Sequence, residues 1–294
     1  MLEPHLTLTM ALGEGPHWDG YQQRLHWVDI LGGELHQLDP DTNQHQVWRF
    51  DEPLAYAVPN DKGGYLAAFR SGLWQLDDRG QKQHQLVEGP QNPDISWCND
   101  GYCDAHGRLW IGTKNAEESE PTAALFSYQG DVRQHVDGVT ISNGLAVSPD
   151  NRWLYFSDTP THRIYRYPLD IDQGTLGQPE LFADTRALAL PGSPDGAAID
   201  EAGHYWAAMY GGGVVVHFDE QGNVVETLPL LAPNPTKVAF GDSDLRTLYV
   251  TCARQGMEQT TLDQYPDAGS LFSMRVATPG LPDHRYRDTG GDTT

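Results

Sequence analysis

Residues 142–159 read SNGLAVSPDNRWLYFSDT. An Asn-Gly pair opens the stretch, a short apolar run follows, Ser-Pro-Asp-Asn interrupts it, and Trp-Leu-Tyr-Phe resumes. Runs of this length, bounded by residues that favour turns, predict strand, turn and strand rather than helix.

The unit recurs along the chain. A turn followed by an apolar strand appears as RLHWVDI, GYLAAF, GRLWIGT, RWLYFSDT, HYWAAMY and RTLYVTCA. With Trp27, Leu66, Trp110, Tyr155, Trp206 and Tyr249 as equivalents, the steps are 39, 44, 45, 51 and 43 residues. Each unit adds a strand before the turn (NGLAVSPDN, DGAAIDEAG, TKVAFGDSD) and two after the apolar strand, making four. Six four-stranded units predict an all-β fold, a six-bladed β-propeller forming one domain over residues 1–294. Two stacked sheets would not need six equivalent units. The N-terminal HLTLTM is expected to pair with the last blade and close the ring, leaving no open edge.

Composition narrows the partners. Forty-one acidic against nineteen basic residues give a net charge of −22, which repels nucleic acid and anionic membrane surfaces alike. No apolar run reaches membrane-spanning length, and the start lacks the pattern of a secretory signal, so a cytoplasmic location and a monomer or weak homo-oligomer are expected. Cys98, Cys103 and Cys252 make an odd set and read as free thiols. Cys98 and Cys103 lack the second pair that a structural zinc site needs. The chain contains neither G-x-S-x-G nor H-E-x-x-H, and its twelve histidines show no shared period.

In a propeller, the turns leading into the innermost strands gather at one mouth of the channel. Those turns hold Glu14, Asn60 with Asp61, Asn99 with Asp100, Asn143, Asp195, and Asn234 with Lys237. Singly, each Asn-Gly or Asp-Gly is an ordinary turn residue that tolerates positive φ. Together, carboxylates and amide oxygens aimed at one axis make a hard-oxygen site for one divalent cation: Ca²⁺, Mg²⁺, Mn²⁺ or, with fewer ligands, Zn²⁺.

LGEGPHWD, CNDGYCDAHGRLWIGT, ISNGLAVSPDNRWLYFSDT, SPDGAAIDEAG and AFGDSDLRTLYVTCA together resemble the senescence marker protein (regucalcin) and gluconolactonase family, in the family's order and over nearly the whole chain. The resemblance implies a propeller with one divalent cation that hydrolyses small sugar lactones to aldonic acids. Carried over by position, it makes Glu14, Asn143 and Asp195 metal ligands and Asn99 a substrate contact. Glu117 falls near the family's acidic substrate contact. Where several sugar-metabolising members carry an arginine, this chain has Trp97, which reads either as a propeller-strand tryptophan or as a pocket wall that stacks on a sugar ring. Lys114 reads either as a surface lysine or as a positive charge that admits a lactone with an anionic substituent.

Asp195 is the expected general base as well as a ligand. Two competing functions keep the scaffold: hydrolysis of another ester or a phosphotriester at the same metal, and a calcium-binding propeller without catalysis.

Overall fold

A computed structural model describes residues 1–89 and 94–288. The tail residues 289–294, TGGDTT, lie outside them. Six antiparallel sheets form the blades. Their innermost strands are Gly13–Asp19, Leu54–Pro59, Ser96–Cys103, Ser142–Val147, Ser193–Ile199 and Pro235–Gly241, taken here as blades 1 to 6. Each packs against the next, and blade 6 returns to blade 1. An N-terminal strand closes blade 6 as expected, but it is Glu3–Leu6, sharing only His5 and Leu6 with HLTLTM, that pairs with Leu271–Arg275.

All six equivalent positions lie on the second strand of their blade. The long 51-residue step has a local cause: blade 4 carries an extra two-stranded hairpin, Thr175–Leu176 against Leu169 and Asp170.

Burial falls from the axis outwards. The innermost strand of blade 1 is buried at every position, whereas the outermost, Gln44–Arg49, alternates exposed and half-buried. Each apolar cluster is therefore a layer between neighbouring blades. Trp18, Trp27, Tyr249 and Leu271 join blades 6 and 1, and Trp206, Val215, Phe240 and Phe272 join blades 5 and 6.

Six of the twelve histidines share a place that no sequence period shows. In blade 1, Trp27 stacks on His36 at 5.0 Å and on His45 at 5.4 Å, and the two imidazoles are 3.0 Å apart. Blade 3 sets Trp110, Ser127 and His135 in the same row, and blade 6 sets Tyr249, Ser273 and His5. In blade 5, Trp206 stacks on His217 at 3.8 Å and donates its indole N–H to Asp200, while His217 meets His204 at 2.8 Å. This polar row crosses each of these sheets and gives one ring nitrogen of each of these histidines a partner, while His5 Nε2 and His36 Nε2 are buried without a hydrogen bond.

Residues 279–287 form a strap across one end of the channel. The Gly280 N–H donates to Leu245 O, the Leu281 N–H to Ile199 O, the Tyr286 N–H to Pro59 O and the Arg287 N–H to Gly107 O. Asp283 accepts the Trp18 N–H at 2.8 Å, and Arg285 grips Asp19 at 2.5 and 3.0 Å. Blades 1, 2, 3, 5 and 6 are thus tied together at the end away from Glu14, Asn143 and Asp195.

Candidate active site

Glu14, Trp97, Asn99, Asp100, Asn143, Asp195 and Lys237 lie within the innermost strands rather than in the turns before them, Asn234 stands one residue before its strand, and Lys114 lies on the second strand of blade 3. In every blade the innermost strand loses register with its neighbour near its start, for example between Glu14 and His17, Cys98 and Gly101, Asn143 and Ala146, and Pro194 and Ala197. Such a bulge bends the strand and re-aims side chains. Gly144 supplies the backbone this requires: φ is +70°, and a β-carbon there would stand 2.4 Å from the Tyr205 hydroxyl. Asn60 and Asp61 differ from the rest, since they follow the end of their strand and sit under the strap at the opposite mouth.

The loops that deliver these strands are clamped. The Ala11 and Leu12 N–H groups donate to Asp29 at 2.8 and 2.9 Å, and the Thr140 and Ile141 N–H groups donate to Asp158 at 3.1 and 2.9 Å. Both aspartates end the second strand of the same blade. Glu14 and Asn143 are therefore held on fixed backbone.

A polar relay orients the amides. The Thr159 hydroxyl donates to Pro194 O at 2.9 Å, so its oxygen accepts the Asn143 Nδ2 hydrogen at 2.8 Å. Asn143 Oδ1 is thereby turned towards the channel, where Asn99 Nδ2 donates to it at 3.1 Å and to Ser142 O at 3.0 Å. Both Asn99 donors are used, leaving Oδ1 as the group free to face a ligand. Thr159 also ties blade 4 to the residue before Asp195. Thr159 closes the stretch 142–159, but nothing in the sequence shows that it meets Asn143, sixteen positions back.

Charge is concentrated and buried here. Glu14 is raised to about 7, first by burial and then by Asp100. Asp195 is raised well above the carboxylate range by burial, then by Glu14 and Asp100. Lys237 stands against them, with Nζ 2.5 Å from Asp100 Oδ1 and 2.7 Å from Gly101 O. Lys114 also acts on both carboxylates, and pairs with Glu118 at 2.6 Å. Four carboxyl groups, Glu14, Asp100, Asp195 and Glu118, thus face two ammonium groups, an excess of two negative charges when all are ionised. That excess, with the Asn143 oxygen beside it, fits a hard divalent cation.

Trp97 faces Lys114 directly across the strand pair, with Nζ 5.0 Å from its ring centroid. Trp97 and Tyr210 both pack on the cluster containing Leu12, Leu54 and Ala253. Tyr210, which the sequence did not mark, stands near the site carboxylates, its hydroxyl raised by burial and then by the charges of Asp195, Glu118 and Glu14. Glu117 is exposed on the following turn. The acid at the Lys114 ammonium is its neighbour, Glu118. All three cysteines are free and buried.

Among the described residues, one cluster of histidine and carboxylate groups, Asp200, His204 and His217, also has metal-ligand spacing. It belongs to the polar row of blade 5, apart from the mouth. No helix there is long and apolar enough to cross a membrane.

Comparison with known proteins agrees with this architecture. The SMP-30/gluconolactonase/LRE-like region matches residues 12–254. The 6-deoxy-6-sulfogluconolactonase of Pseudomonas putida is 41% identical, covering 92% of this chain and 93% of its own. The pentonolactonase of Haloferax volcanii is 33% identical over 93% of this chain and 94% of its own. The crystal structure of a calcium-binding protein, regucalcin, from Agrobacterium tumefaciens superposes with a TM-score of 0.92 at 28% identity, covering 97% of this chain and 96% of the other. The chain belongs to the SMP-30/gluconolactonase/LRE-like family of sugar lactonases.

Proposed function

We propose that this protein is a metal-dependent lactonase that opens a sugar lactone to its aldonic acid. The observation that carries the proposal is the pairing of Glu14 with Asp195, two buried carboxylates whose charges oppose each other beside the oriented oxygen of Asn143. Glu14, Asn143 and Asp195 would hold a divalent cation, which when bound polarises the ester carbonyl and makes water more acidic.

The remaining work falls to side chains. Asp195 takes the proton from the attacking water, as a carboxylate whose proton affinity is raised by burial and by Glu14. Asn99 Oδ1 accepts a hydroxyl of the substrate, since its amide hydrogens are occupied. Trp97 and Tyr210 wall the mouth and keep bulk water from the reacting ester. The Lys237–Asp100 pair fixes the floor and holds charge near Glu14.

Asp195→Asn and Glu14→Gln variants test this reading. Both should remain folded, and both should lose metal-dependent acid release from aldonolactones, by roughly 10²- to 10⁴-fold for Asp195→Asn. Full activity in the two variants would sink it.

A further inference from the structure

We propose that Lys114, walled by Trp97, forms a subsite for an anionic substituent on the lactone, and that Glu118 occupies this subsite in the empty enzyme. This rests on the lactonase reading and adds the class of substrate.

Two buried lysines border the site, and their surroundings differ. The Lys237 side chain is 4% exposed and has two oxygen acceptors, Asp100 Oδ1 and Gly101 O, with the Tyr56 ring at 5.4 Å. Its needs are met within the protein. The Lys114 side chain is 5% exposed and has one acceptor, Glu118 Oε1, while the face of Trp97 takes another side of the ammonium. An ammonium has three donors, and a buried donor without an acceptor is costly. One direction of Lys114 is therefore left for an oxygen that the protein does not supply.

Glu118 suits the part of a placeholder. It is 41% exposed, it follows a turn at φ +55°, and a swing into water leaves its own charge solvated. Trp97 lowers the local dielectric around the ammonium, which strengthens its attraction for an incoming anion. The net charge of −22 draws no anionic substrate from a distance, so recognition must come from a local, partly dehydrated cation. A sulfonate, phosphate or carboxylate on the sugar has the required oxygen atoms.

The test compares kcat/KM on glucono-1,5-lactone with that on its 6-phospho and 6-deoxy-6-sulfo counterparts, using metal-loaded wild type, Lys114→Met, Lys114→Arg and Glu118→Gln. The stable products gluconate and 6-phosphogluconate are titrated calorimetrically in parallel. Lys114→Met should cut the anionic-to-neutral ratio by about 10- to 100-fold, mainly through KM, because a charge-assisted hydrogen bond is lost. Lys114→Arg should keep most of the preference, and Glu118→Gln should raise it. Equal gains for sulfonate and phosphate support recognition of charge, and a gain for one supports a subsite shaped to that oxyanion. Ratios in turnover and in product binding that Lys114→Met leaves unchanged would overturn the proposal. Absence of turnover on all three lactones counts against the lactonase reading alone, and the product titrations then decide the subsite.

Discussion

Lys237 of blade 6 reaches Asp100 of blade 3, its opposite in the ring, with Nζ 2.5 Å from Oδ1. The same carboxylate accepts the Leu145 N–H of blade 4 at 3.0 Å. A buried pair spanning the axis holds three innermost strands in register below the candidate metal ligands. Lys237→Met leaves Asp100 as an uncompensated buried charge and should cost about 3–5 kcal/mol. Adding Asp100→Asn should recover part of that loss. Thermal unfolding of the single and double variants checks it, and additive losses would contradict it.

Thr159 acts through Asn143. Thr159→Val removes the hydroxyl that fixes the amide, so Asn143 Oδ1 no longer points steadily at the channel. Affinity for the divalent ion should fall by roughly 10- to 100-fold, as for other groups that orient a ligand. Isothermal titration with Ca²⁺ or Mn²⁺ measures this, and Thr159→Ser should restore most of the affinity.

His36 gives stability a pH dependence. Burial lowers it to about 3, with His45 and Arg49 adding to the effect. The folded form therefore holds its proton less tightly than the unfolded chain, where an ordinary histidine titrates near 6.5. Stability from this group is complete above about 6.5 and is lost as pH falls towards 3. Between pH 6.5 and 5, wild type should lose about 2 kcal/mol more than His36→Phe. Denaturant midpoints at the two pH values provide the comparison, and parallel slopes would refute it.

The strap should matter to stability and not to the lactone. Tyr286 is the strap's buried aromatic side chain and stacks on Tyr128 at 5.9 Å. Tyr286→Ala should cost about 3–5 kcal/mol, by analogy with other large aromatic deletions. KM should stay within about twofold, since the deletion lies at the other mouth, and thermal melts beside steady-state kinetics separate the two effects.

The six blades were legible because each repeats an apolar strand next to a turn, and that pattern survives differences in loop length. The position of the site along each strand was not. Asn143-Gly144 has the composition of a turn, yet it lies inside a bulged strand, where Gly144 needs the same positive φ that turns need. The row of histidines was hidden because it crosses strands: His36 meets His45, whereas the equivalent of His36 in blade 3 is Ser127. A sequence period cannot show a register between strands joined by loops of unequal length. The strap was hidden for a different reason. Residues 279–287, PGLPDHRYR, have little apolar pattern and are held largely by backbone hydrogen bonds, by the Trp18 N–H on Asp283 and by the Arg285–Asp19 ion pair. Glu14, Asn99, Asn143 and Asp195 were identifiable from motifs, Thr159 and Tyr210 gain their meaning from neighbours distant in sequence, and Glu118 gains its own from a turn that folds it back onto Lys114 four residues earlier.

Metal dependence is the central claim, and one measurement addresses it most directly. Protein stripped with EDTA is assayed for acid release from a panel of aldonolactones, above the spontaneous rate, and then reloaded with Ca²⁺, Mg²⁺, Mn²⁺ or Zn²⁺ one at a time. The account predicts loss of turnover on stripping and recovery with at least one ion, with no recovery in Glu14→Gln. Turnover that survives stripping unchanged, or that no ion restores, would contradict it.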